Sequence, residues 1–249
     1  MKRASSLTLK CILLFSCLAS ASVWASPPDW SSYDRLLSKH LQMGEKNGVP
    51  VMLVDYSALA RDPDLARSVA LIERQDTDQL QTREQRLAFY INAYNIFALK
   101  LITDNWPINS IKDAGNWWRP VWYHNVGKID GEAVSLDDVE HQILRPMGEP
   151  RIHMAIVCAS VSCPDLRREA YRAQLLDQQL EEQTRQFLQN EHKGVRDAGE
   201  IWHVSKIFDW FDKDFEPGGI AAFIRQYRDL PADAVVQPDL EYDWAVNGE

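Results

Sequence analysis

The sequence predicts an α+β domain, with helices packed on a small, mostly antiparallel sheet, and three observations carry that expectation. Amphipathic helical periodicity dominates the chain. Short β-prone runs flank the turn signals Asp130-Gly131 and Asp197-Ala198-Gly199. Residues 152–158 are apolar or thiol-bearing except for His153, over a length that suits a central strand covered on both faces. No repeat, low-complexity tract or long linker interrupts the chain, so residues 26–249 are expected to form a single domain.

Taken in order, residues 1–25 read as a secretory signal peptide. Lys2, Arg3 and Lys10 precede the apolar run 12–18, and Val23-Trp24-Ala25 offers a small-residue cleavage boundary. The run is too short for a bilayer span, which needs about 20 residues. The mature chain is therefore expected in the periplasm or secreted, without membrane insertion after cleavage. Losing those three basic residues takes the net charge from −9 to −12, and no Lys/Arg cluster remains to neutralise a phosphate backbone, so nucleic acid is not an expected partner. A small molecule or peptide is. Cys11 and Cys17 leave with the signal, and Cys158 and Cys163 remain where oxidation is possible.

The mature chain opens with an amphipathic helix over 31–42, a short strand over 51–55 and a second helix over 61–74. The third helix carries the strongest signal: Thr82 and Gln85 stand at capping-box spacing, and Trp106-Pro107 ends the pattern. Leu87, Ile91, Tyr94, Ala98 and Leu101 form one stripe, and Ala88, Asn92, Asn95, Leu99 and Ile102 a second. Two amides thus sit on an apolar face. Each must hydrogen-bond, either as structural bracing or to orient a catalytic imidazole or an oxyanion.

Residues 116–124, with Arg119 and His124, are aromatic-rich and suit a core edge or a cleft wall. The Asp130-Gly131 hairpin then delivers a helix, opened by Ser135 and Asp138, that bears Glu140 and His141. Beyond the 151–167 segment come a helix over 173–188, a hairpin around 197–199, a helix capped by Ser205, a helix ending near Tyr227 and a last strand in the tail after Ala234.

The motifs LAFYINAYN (87–95), SLDDVEHQILR (135–145), RIHMAIVCASVSCPDLR (151–167) and VSKIFDWFDKDF (204–215), in this order, resemble the domain of unknown function 547 family. The resemblance runs from about Val51 to the end and implies no defined reaction. Its polar motif positions are Asn92, Tyr94, Asn95, Glu140, His141, Arg151, His153, Cys158, Ser162, Cys163 and Pro164.

Three readings of those residues stay open. In a thiol-dependent hydrolase or acyl/peptide transferase, Cys163 or Cys158 is the nucleophile, His141 the base, Glu140 a second acid or base, and Asn92 an orienting amide. Asn95, Tyr94, His153, Arg151 and Ser162 would bind substrate. Cys163, before Pro164, is placed to cap a short helix that would lower its pKa, and Cys158 is expected to be the more buried thiol. In a non-catalytic binding module, Cys158 and Cys163 form a disulfide. In a zinc site, His141, His153, Cys158 and Cys163 are ligands, although their spacing lacks the usual close pair. No cofactor is called for.

The export reading predicts a mature protein beginning at Ser26. Intact mass of the exported form checks it; retention of residues 1–25, or a diacylglycerol adduct on Cys17, would overturn it.

Overall fold

The computed structural model describes residues 27–115 and 120–248. The signal segment and Arg119 lie outside the described residues. Ser31–His40 forms α1, and its chain runs directly into an antiparallel hairpin of β1 (Leu41–Lys46) and β2 (Val49–Val54). The sequence reading extended the helix to residue 42 and missed β1. The overlooked signal is Asn47-Gly48, where both residues take positive φ (53° and 79°), as a two-residue hairpin turn requires. Tyr56–Leu59 (α2) and Pro63–Arg74 (α3) follow, each opened by an aspartate cap, Asp55 and Asp62.

Arg83–Asp104 is α4, and its capping box forms as expected: Thr82 accepts from the Gln85 N–H while the Gln85 side chain accepts from the Thr82 N–H. Apolar residues surround most of this helix, and it is buried on nearly all sides from Leu87 to Ile102. The hairpin of β3 (Asn125–Ile129) and β4 (Glu132–Ser135) then delivers a π-helix, Asp138–Leu144. Its wider turn shows in the Arg145 N–H donating five residues back, to the Glu140 carbonyl.

The central strand expected at 152–158 does not form. Pro150–Met154 is a 3₁₀-helix, and residues 155–158 follow without regular structure. Pro150 starts the helical turn at a position that needs no N–H donor, and no named strand lies beside the segment. Burial comes out as anticipated. Ile152 and Ile156 enter the main core around α4, while Met154 enters a second core with Phe187, Phe208 and Phe223, so the segment is a wall shared by both.

That second core collects α5 (Leu176–Gln189), the hairpin β5 (Val195–Ala198) and β6 (Ile201–Val204), α6 (Ile207–Trp210) and α7 (Gly219–Arg225). The tail adds β7 (Val235–Gln237), parallel to β6. The sheet expected as one element is thus three small ones, of two, two and three strands, antiparallel apart from the last pair. An α+β architecture stands.

Asn92 and Asn95 explain how irregular backbone survives in the core. Asn95 Nδ2 donates to the Ala155 carbonyl (3.0 Å), and its Oδ1 accepts the Val157 N–H (2.9 Å). Asn92 holds Tyr171 the same way, donating to its carbonyl (2.8 Å) and accepting its N–H (2.9 Å). Both amides brace backbone, and Asn92 is fully buried against Tyr171, which leaves the catalytic role considered for it without access to a substrate. Replacing Asn95 by Ala strands a buried carbonyl and a buried N–H, and should cost about 2–4 kcal/mol in urea unfolding. A loss below about 0.5 kcal/mol, the range of an unremarkable surface change, would show that the clamp carries no weight.

Candidate active site

The shared wall ends at Cys158, where the chain turns sharply. Ala159 takes φ 63°, a left-handed conformation that costs a non-glycine residue about 1–2 kcal/mol. The Cys163 N–H donates to the Ser160 carbonyl (3.1 Å), which folds the loop back on itself. The two sulfurs consequently lie 2.7 Å apart, and the Cys158 N–H donates to Cys163 Sγ (2.9 Å). Both cysteines are free thiols.

Exposure reverses the expectation for the pair. Cys158 is half-buried at the wall of a cavity, whereas Cys163 is only 4% exposed. The helix expected at Pro164 is absent, since residues 164–167 run without regular structure, so no helix N-terminus acts on Cys163. Burial pushes Cys158 up, but hydrogen bonds from Cys163, Ser160 and Tyr242 and from the Ser160 backbone outweigh it and leave the thiol below its ordinary value. Burial pushes Cys163 well above the ordinary range, and the adjoining Cys158 adds to the rise, with the Cys158 N–H only a partial offset. The two shifts run in opposite directions, Cys158 down and Cys163 up.

The cavity, about 280 Å³, has Cys158 and Cys163 on one side, Tyr94, Glu140, His141 and His153 on another, and aromatic walls that include Trp210, Phe211, Tyr242 and Trp244. A larger cavity of about 430 Å³ is lined by Arg145, Asp214 and residues 215–219 and contains neither cysteine. The smaller one holds the reactive groups.

Glu140 projects from the π-helix, and its carboxylate accepts from the Tyr94 hydroxyl (3.3 Å). Its side chain is 13% exposed. Burial pushes this carboxyl up, the neighbouring Cys158 adds to the rise, and Tyr94 and Arg145 offset it only in part, so it titrates at about 7. A carboxyl with that value can give or take a proton at neutral pH.

The histidines serve other purposes. Arg145 Nη1 donates to His141 Nδ1 (2.7 Å); a guanidinium has no acceptor, so Nδ1 carries the lone pair and the ring proton sits on Nε2, toward Asp137 (3.6 Å). That lone pair is already occupied by the guanidinium N–H. The base role expected of His141 therefore does not fit this geometry. His153 donates from Nε2 to Asp214 (2.8 Å), lies stacked on Phe211 at 4.1 Å, and has Nδ1 4.0 Å from Glu140. Burial holds its pKa below the usual value despite Asp214, so it is neutral at neutral pH.

Arg145 completes the arrangement with a two-pronged ion pair to Asp214 (2.6 and 2.9 Å). Burial would raise Asp214, but hydrogen bonds from His153 and Arg145 outweigh it and hold the carboxyl well below the ordinary range. Two expected substrate contacts are committed elsewhere. Arg151 is paired with Glu149 and Asp177, and Ser162 holds the tail by accepting the Asp243 N–H (2.9 Å). The zinc reading finds no donor set, since among the described residues no three His, Cys, Asp or Glu side chains gather as metal ligands.

Residues that the sequence reading did not assign come from the last quarter of the chain. Phe211 and Asp214 belong to the 204–215 motif, which marked them as notable but gave no role. Tyr242, 3.3 Å from Cys158 Sγ and 3.2 Å from Ser160 Oγ, had no sequence signal at all. Trp244 packs on Trp210 (5.6 Å) and closes the same wall.

Residues 77–188 match the family model described as Protein of unknown function, DUF547. The matched stretch includes α4, the π-helix and both thiols; Asp214, Tyr242 and Trp244 follow it. No curated protein and no solved structure matches the chain.

Glu140 makes stability depend on pH in a specific direction. The folded state keeps this proton up to about pH 7, whereas the unfolded carboxyl loses it near 4.5, so the folded state binds more protons between those values. Stability from this group is complete below about 4.5 and is lost as pH rises through 7, on the order of 3 kcal/mol in all. Glu140→Gln should remove that loss and gain most over wild type at about pH 8, as urea midpoints across this range would show. Parallel pH profiles for the two proteins would mean the carboxyl is not held up.

Proposed function

For a chain that belongs to the DUF547 family, we propose a thiol-dependent hydrolase or acyl/peptide transferase in which Cys158 is the nucleophile and Glu140 the proton carrier. The observation that carries this reading is the convergence of Cys163, Ser160 and Tyr242 on the Cys158 sulfur, at the wall of a cavity that also holds a carboxyl titrating at about 7. A thiolate and a protonated carboxyl can coexist there near neutrality, which is the pair of protonation states that acyl transfer needs.

In this mechanism the Cys158 thiolate attacks a substrate carbonyl, and the electron pair moves to the carbonyl oxygen. As the tetrahedral intermediate collapses, protonated Glu140 gives its proton to the departing amine or alcohol, leaving a thioester on Cys158. Glu140, now ionised, removes a proton from an incoming water or acceptor amine, which attacks the thioester and restores the thiolate. Tyr94 orients the carboxyl through its hydroxyl. The aromatic walls hold an apolar part of a small molecule or peptide. Arg145 and Asp214 neutralise one another and act as positioning residues through His153.

The signal pattern in residues 1–25 supports placing this chemistry in the periplasm or outside the cell. Among the described residues no helix is long and apolar enough to cross a membrane. A second reading, a binding module with a Cys158–Cys163 disulfide, draws on the same close approach of the sulfurs.

A nitrophenyl ester separates the two. Wild-type protein should release nitrophenol in a burst and gain one acyl group, located on Cys158 by peptide mass. Cys158→Ser should gain none, and Glu140→Gln should slow turnover by ~10²- to 10⁴-fold. His141→Ala should leave the acylation rate within a few-fold of wild type. Acylation that survives in Cys158→Ser, or a protein inert until reductant is added and then inert still, would remove the enzyme reading.

A further inference from the structure

A hydrolase of this design uses one sulfur, and the structure contains two in contact. Cys163 Sγ lies 2.7 Å from Cys158 Sγ; both line the cavity, with Cys163 buried and Cys158 half-buried. The loop between them is pinned at both ends of the turn. The Cys163 N–H is bonded to the Ser160 carbonyl, and Val161 and Ser162 donate to the tail carbonyls of Ala245 (2.8 Å) and Asp243 (3.2 Å). A serine hydroxyl at position 163 would supply the hydrogen bond to a Cys158 thiolate equally well. Only a sulfur there can displace a group from the Cys158 sulfur.

We infer that Cys158 and Cys163 are the attacking and resolving thiols of a disulfide-exchange activity carried by the same cavity. The inference rests on Cys158 being the nucleophile, as in the reading above. In the first step Cys158 thiolate attacks one sulfur of an external disulfide, R–S–S–R′. The external S–S bond breaks as the mixed disulfide Cys158–S–S–R forms, and R′S⁻ leaves, taking a proton from Glu140 or water. In the second step Cys163 gives up its proton and attacks Cys158 Sγ, forming the Cys158–Cys163 disulfide and releasing RS⁻, which is protonated in turn. The thiolate–thiol pair loses two electrons and the one proton of Cys163; Glu140 or water supplies the second proton, and the external disulfide gains two of each. A further turnover needs a thiol reductant; a single turnover needs none.

The cavity indicates which disulfides enter. Its aromatic walls accept apolar substituents, and its lining holds Asp137 but no Lys or Arg among the described residues, so neutral or cationic disulfides are favoured over anionic ones. Attack is on a sulfur, so no oxyanion site is required. The unequal exposure of the two thiols fits the two roles, since the attacking sulfur must reach an outside partner and the resolving sulfur only its neighbour.

Cystamine, a small cationic disulfide, tests this on the mature protein after reduction and removal of reductant. Wild type should release two equivalents of cysteamine and end two hydrogens lighter, with the Cys158–Cys163 bond found by peptide mass. Cys163→Ser should stop at the first step, with one cysteamine persisting on Cys158, and Cys158→Ser, left with Cys163 alone, should not react. Cys163→Ala serves in place of Cys163→Ser if circular dichroism shows that variant unfolded. A wild-type protein that accumulates the mixed disulfide as Cys163→Ser does overturns the resolving role. Iodoacetamide labelling of Cys158 as a function of pH, run in parallel, separates the two proposals. Fast labelling well below the ordinary thiol pKa of about 8.5, with no exchange, sinks this inference and leaves Cys158 a nucleophile. No labelling and no exchange sinks both.

Discussion

The structure depends on one pair of hydrogen bonds more than on any other local contact: those from the Asn95 amide to the Ala155 carbonyl and the Val157 N–H. A side-chain amide presents a donor and an acceptor with the chemistry of a peptide group, so one asparagine can stand in for the adjacent strand that a buried, extended segment would otherwise need. Freed from a sheet, residues 155–158 can end in the sharp turn at Ala159 that brings Cys163 back onto Cys158. The same device at Asn92 fixes the buried backbone of Tyr171. The long buried helix α4 is therefore more than a core element, because it carries the partners for irregular backbone on two sides.

Charge in the cavity is distributed so that Glu140 is left without a close cation. Arg145, the nearest guanidinium in the network, is directed to Asp214 by two short bonds and to His141 by a third. His153 turns its donor to Asp214 as well, and burial keeps it neutral. Burial therefore decides the state of Glu140, and its pKa rises to about 7 rather than falling as in a salt bridge. Phe211 covers this network: it stacks on His153, lies 6.1 Å from His141 and takes the Arg145 guanidinium over its ring at 5.1 Å. An aromatic face over three polar groups excludes water without competing for their hydrogen bonds.

The tail acts as a clasp. Ser162 and Val161 bond to the backbone of Asp243 and Ala245, and Asn247 accepts the Tyr56 hydroxyl while its N–H reaches the Ala159 carbonyl. These contacts seat Tyr242 against the Cys158 sulfur and Trp244 against Trp210. The two proposed reactions both demand a thiolate at Cys158, and the tail brings the Tyr242 hydroxyl within hydrogen-bond distance of that sulfur. The site is thus complete only when residues far apart in the chain have docked.

What the sequence by itself determined is everything encoded within a few residues. The Thr82–Gln85 capping box, the Asp130-Gly131 turn, the helix bearing Glu140 and His141, and the burial of 152–158 all follow from spacing at i, i+3 or from a required positive φ. The thiols and Glu140 were legible as candidates for the same reason. Only the tertiary structure decided that 150–154 coils instead of extending, that Cys158 is the more exposed of the two thiols lining the cavity, and that His141 faces Arg145. Those outcomes turn on partners 61 to 84 residues away, Asn95 for Val157, Asp214 for Arg145 and His153, and Tyr242 for Cys158. Local propensity has no access to a hydrogen-bond partner that arrives from another part of the chain, and a polar group's role is set by that partner.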